Sequence, residues 1–135
     1  MGSLIKYKGK VPQVGERVFL ADGVRLVGEV CIGDDSSVFY NAVLRGDLAE
    51  IKIGKRTNIQ DNVCVHVSTG VGVHIGDEVT VGHGAVLHGC TIDDNVLVGM
   101  GAIIMDGSHV KKNCIVGAGA LVTQGKEFPE NSLVM

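Results

Sequence analysis

Broken every six positions, residues 92–122 read IDDNVL VGMGAI IMDGSH VKKNCI VGAGAL V. Each block opens on an aliphatic residue: Ile92, Val98, Ile104, Val110, Val116 and Val122. Its fifth place holds a small or branched one: Val96, Ala102, Ser108, Cys114 and Ala120. A helix would repeat its apolar residues at three and four, and a half-buried strand at two. A period of six belongs to a stacked repeat. The same phase runs through Val14, Leu20, Leu26, Ile32, Val38 and Leu44, then Ile53, Ile59 and Val65, then Ile75, Val81 and Leu87. Pairs such as Gly33-Asp34 and Gly76-Asp77 fall between them and favour tight corners. Short strands with a corner every six residues predict an all-β prism of triangular section. Three hexads close a coil, and coils stack at the strand spacing of about 4.8 Å.

Composition agrees. Aromatics are 4% of 135 residues and Trp is absent, so Val, Ile, Leu and Ala must fill the interior. A narrow prism has no room for rings. The length suits a single domain over residues 1–135, with a repeat core from about 14 to 123. Gln124-Gly125-Lys126-Glu127-Phe128-Pro129 breaks the pattern and is expected to stop the strands. Net charge is −3, which gives no general attraction for nucleic acid or an anionic membrane surface. No apolar run approaches the roughly 20 residues of a bilayer span, and no signal peptide opens the chain. Cys31, Cys64, Cys90 and Cys114 are widely spaced and read as reduced packing residues of a cytoplasmic protein.

The period is interrupted between Leu44 and Ile53 and between Val65 and Ile75, where loops are expected to bulge from corners. Because the count resumes in step, residues can be assigned to walls. The position after each aliphatic opening should face outward. On one wall that column reads Val27, Arg45, His66, His88, Met105 and Thr123. His66 and His88 therefore sit one above the other, at a spacing that suits two imidazoles on one metal ion. His83 follows Val81 on the next wall, in a column with Tyr40 and Asp61. A homotrimer solves the separation: His83 of one copy completes the site begun by His66 and His88 of its neighbour. The same geometry sets Arg45 of one copy against Asp61 of the other. His74 and His109 read as solvated.

Arg45-Gly46-Asp47, Asn58-Ile59-Gln60-Asp61-Asn62, His66 and His83-x4-His88-Gly89 together resemble the gamma-class carbonic anhydrase family over nearly the whole chain. That resemblance implies a left-handed β-helix and a trimer in which His66, His83 and His88 bind Zn2+, or Co2+ or Fe2+. The substrate it implies is CO2 or bicarbonate. It gives Arg45, Asp47 and Asp61 to the interface. Gln60 resembles the side chain that orients the attacking water, with Asn58 behind it. Three neutral imidazoles leave positions open for water, and the metal makes that water acidic enough to attack CO2 at neutral pH.

Some residues depart from the family pattern. Leu48 stands where the best-known active members carry Glu. The loop Val67-Ser68-Thr69-Gly70-Val71-Gly72-Val73 has no carboxylate to shuttle protons. The family's C-terminal helix is expected to be absent, leaving apolar surface uncovered. Two alternatives stay open: a weakly active or non-catalytic metal-binding trimer, and an acyl-CoA transferase or thioesterase on the same prism.

Overall fold

A computed structural model describes all residues, 1–135. It shows a left-handed parallel β-helix built from short strands, with no α-helix. The inward columns fall in the expected register. On one wall Val14, Ile32, Ile53, Ile75, Ile92, Val110 and Phe128 pair in series. On the second, Leu20, Val38, Ile59, Val81, Val98, Val116 and Val134 do so. The third wall stacks Leu26, Leu44, Val65, Leu87, Ile104 and Val122. Most of these residues belong to a single cluster of 32 buried side chains.

Corners rest on left-handed backbone. Arg17, Asp35, Arg56, Glu78, Asn95, Asn113 and Asn131 all have φ between 51° and 63° and form one corner column. A strained conformation at a charged or Asn residue is held there by the coils on either side. Arg17 Nε donates to Asp35 Oδ1 at 2.6 Å, and Asn95 Nδ2 donates to Asn113 Oδ1 at 2.8 Å. Hydroxyls that point inward are also satisfied. Ser36, Thr57 and Ser108 are buried, and each donates to a carbonyl, those of Gly54, Gly76 and Thr123. No buried side-chain N or O atom lacks a partner.

Three local expectations change. The insertion after Leu44 is not a detached loop. The strand Val43–Ile53 runs unbroken round the corner and pairs with Arg25–Ile32, whose register shifts between Gly28 and Val30 to absorb Asp47–Glu50 as a bulge. This fuses two walls into a 12-stranded sheet, beside a 7-stranded sheet on the third. The insertion after Val65 does leave the wall, as a tight turn closed by paired backbone bonds between Ser68 and Val71.

Strands also continue past Gln124: Glu127–Phe128 pairs with His109–Val110, and Leu133–Val134 with Ile115–Val116. The spacing of six persists from Val122 to Phe128 to Val134, and the partly buried Phe128 ring packs against the core cluster. At the other end Ser3–Ile5 pairs with Arg25–Val27. Finally, only Cys90 and Cys114 are packing residues; Cys31 and Cys64 face outward and are exposed.

Truncating an inner-column residue should leave a void the stacked coils cannot close. Ile104→Ala, at a fully buried position, is expected to cost about 2–5 kcal/mol in urea unfolding. A cost below about 1 kcal/mol would contradict the close-packed interior.

Candidate metal centre

Strand pairing sets His66 beside Arg45 on one side and beside His88 on the other. Both histidines close three-residue strands, Cys64–His66 and Val86–His88, whose central residues Val65 and Leu87 point into the core. The flanking imidazoles must then face outward. Their rings lie edge to face with centroids 5.0 Å apart, and His66 Nδ1 faces His88 Nε2 at 3.1 Å.

The outer nitrogens are occupied by carboxylates. His66 Nε2 donates to Asp47 Oδ1 at 2.9 Å, and His88 Nδ1 donates to Asp106 Oδ1. In the neutral rings those outward protons leave the facing nitrogens as acceptors. Two nitrogens facing at 3.1 Å are held together by a proton or a metal cation between them. Two imidazoles at about 2.0–2.1 Å from a tetrahedral zinc ion subtend about 3.3 Å. Carboxylate-backed histidines are also the usual second layer of such sites. The donor set fits Zn2+.

Within one chain no group of three or more His, Cys, Asp or Glu side chains converges on one point. His83 lies on the 7-stranded wall, after Thr80–Val81. Its Nδ1 lies 3.0 Å from Asp61 Oδ1, which leaves Nε2 free. Within the chain, then, Asp61 engages His83, while Arg45 engages Asp47. Gln60 sits on the same wall as His83. Its Nε2 donates to Asn58 Oδ1 at 3.1 Å, and Asn58 Nδ2 donates to Thr80 Oγ1 at 3.0 Å. That chain leaves Gln60 Oε1 as an unused acceptor.

His74 and His109 stay apart from these residues. His74 pairs with Glu50 at 3.0 Å and His109 with Asp93 at 2.9 Å, both partly exposed. Leu48 lies exposed in the bulge next to Asp47.

Electrostatics follow from the contacts. Burial works to raise the pKa of Asp47, but hydrogen bonds from Arg45 and His66 outweigh it and hold the carboxyl below the usual range. Asp106 is also lowered, chiefly by the Ser68 hydroxyl, with burial opposing and His88 adding to the shift. Asp106, Ser68 and Thr80 escape the sequence reading. A signal for Asp106 exists: it stands two past Ile104, as Gly89 stands two past Leu87, so a carboxylate lies directly over the gap beside His88. Ser68 carries no periodic signal, since the turn that places it lies outside the hexads.

Burial pushes the Cys90 thiol up to about 12. Being neutral well above physiological pH, it should resist thiol reagents. Alkylation of the native protein at about pH 8, near the ordinary thiol pKa, should modify Cys31 and spare Cys90 and Cys114, all four reacting after denaturation. Fast labelling of Cys90 in the folded protein would contradict its placement.

Two family models match: a bacterial transferase hexapeptide (six repeats) over residues 89–124, and a hexapeptide repeat of succinyl-transferase over 50–88. A Methanocaldococcus jannaschii protein named "Probable carbonic anhydrase" is 58% identical over 122 residues, 90% of this chain and 77% of that protein. A Geobacillus kaustophilus carbonic anhydrase is 46% identical over 104 residues, 77% of this chain and 57% of that one. Among solved structures, a Bacillus cereus protein provisionally described as an acetyltransferase superposes with a TM-score of 0.96 at 42% identity. That superposition covers 98% of this chain and 77% of the other.

Proposed function

Because the chain belongs to the hexapeptide-repeat, gamma-carbonic-anhydrase-like family, we propose that it is a zinc-dependent carbonic anhydrase working as a homotrimer. In this reading each metal is held by His66 and His88 of one copy and His83 of the next. The observation that carries it is the pair of imidazole nitrogens facing each other 3.1 Å apart, each ring anchored from behind by an aspartate.

The trimer gains support from apolar columns on the two walls that hold the half-sites. Leu97, Ile115 and Leu133 stand exposed on the His83 wall, and Ile103 and Leu121 on the His66–His88 wall. Threefold closure sets one wall against the other and removes both columns from water. Arg45 uses one guanidinium nitrogen on Asp47 and retains others to meet Asp61 of an adjoining copy.

Zn2+ at this point would supply Lewis-acid chemistry, activating water toward the carbon of CO2. The protein does the rest. Asp47 and Asp106 hold the outer N–H groups of the two imidazoles and fix the direction of the rings. Gln60, tethered through Asn58 to Thr80, offers Oε1 to the attacking water's proton and so aligns the lone pair on oxygen. No carboxylate in the Val67–Val73 turn can carry the released proton, and His74 is already engaged by Glu50. The proton therefore passes to buffer.

Acyl transfer is the competing reading, taken from the description of the Bacillus cereus relative. A general base needs one imidazole, and this surface pairs two, facing each other at 3.1 Å. The test is metal analysis with stopped-flow CO2 hydration. We expect about one zinc per chain and hydration that rises with buffer concentration; His88→Ala should lose metal and turnover together. Stoichiometric zinc without hydration would support the non-catalytic trimer, and CoA-ester turnover without zinc the transferase.

A further inference from the structure

The turn after His66 reaches a residue far from it in sequence. Ser68 Oγ donates to Asp106 Oδ2, while Asp106 Oδ1 accepts from His88 Nδ1. Both carboxylate oxygens are thereby committed, and the carboxylate plane is fixed at two points. Space for this crossing is kept by Gly89, directly after the histidine. A Cβ at Gly89 would lie 3.0 Å from Asp106 Cγ and 3.3 Å from Val71 Cγ1, and its φ of +56° already disfavours a side chain. The turn is rigid: Ser68 N donates to Val71 O at 3.0 Å and Val71 N to Ser68 O at 2.9 Å. Asp47, behind His66, is backed by a cation, Arg45. Asp106 is backed by a neutral hydroxyl instead.

We propose that Ser68 and Asp106 form a positioning relay that fixes the tautomer and direction of His88, so that the turn after one ligand histidine sets the aim of the other. The proposal rests on the metal-centre reading above, and it gives the neutral Val67–Val73 turn a role other than proton transfer. Asp106 holds the Nδ1 proton, which keeps Nε2 bare. Ser68 stops the carboxylate from rotating, and Gly89 lets it approach. None of the three touches the ion; all act through His88.

The test uses the full-length protein with Asp106→Ala, Asp106→Asn, Ser68→Ala and Ser68→Thr. Zinc affinity is measured by competition with a chelator, and the His88 ring N–H is followed by 15N NMR in metal-free protein. Asp106→Ala should weaken zinc by about 10- to 100-fold while unfolding temperature and oligomer mass stay unchanged. The downfield ring N–H signal should disappear. Ser68→Ala should weaken zinc severalfold, Ser68→Thr should restore it, and Ser68→Ala should add nothing to Asp106→Ala. If Asp106→Ala destabilises the fold, Asp106→Asn and Ser68→Ala report in its place. Wild-type affinity together with an unchanged ring signal in these variants would overturn the relay. If unsubstituted protein binds no zinc while the ring signal still depends on Asp106, the metal-centre reading fails instead.

Discussion

The register between stacked coils is the constraint on which the molecule depends. A parallel ladder at about 4.8 Å per coil allows one inward residue per wall per coil, and the triangular section leaves space for Val, Ile or Leu only. Any slip would push aliphatics outward and polar residues inward, so the register is heavily defended. It is also what makes the surface useful. Outward residues one coil apart, such as His66 and His88, are neighbours however long the chain between them. A solenoid of this kind converts sequence intervals into fixed spatial columns.

Periodicity makes the walls legible in the sequence, because only burial in a narrow core produces aliphatics every six residues. The placing of His66 between Arg45 and His88 follows by counting. What lies outside the hexads does not follow. The bulge at Asp47–Glu50 stays within a strand because its partner shifts register at Gly28–Val30, a backbone adjustment with no side-chain signature. The last coil escapes the pattern because Phe128 looks too large for the interior and Pro129 suggests an end. Cys31 and Cys64 can be mistaken for packing residues because a cysteine is small enough for either face; only their position directly before an inward residue decides it. Partners of the histidines are legible only in part. Asp61 stands in the His83 column, whereas Ser68 depends on the shape of one turn.

Three imidazoles share one design: a carboxylate takes one nitrogen and leaves the other for the surface. Asp47 serves His66, Asp106 serves His88 and Asp61 lies on His83. The arrangement fixes the tautomers, strengthens the free nitrogens as donors and keeps them from being quenched by random contacts. It also explains why two walls rather than one carry the histidines. In the proposed reading the His66–His88 pair alone would give an ion two ligands, and the chain that follows turns away at the corner. In that reading a third ligand would come most simply from an identical surface presented by another copy.

Mixing two defective variants tests this division of labour most directly. His83→Ala lacks one half-site and His88→Ala the other, so neither should bind zinc alone. Refolded together in equal amounts, they should recover about a quarter of the wild-type zinc content, because that share of interfaces joins an intact His66–His88 wall to an intact His83 wall. Absence of zinc from the mixture, or full zinc in either variant by itself, would contradict a site shared between copies.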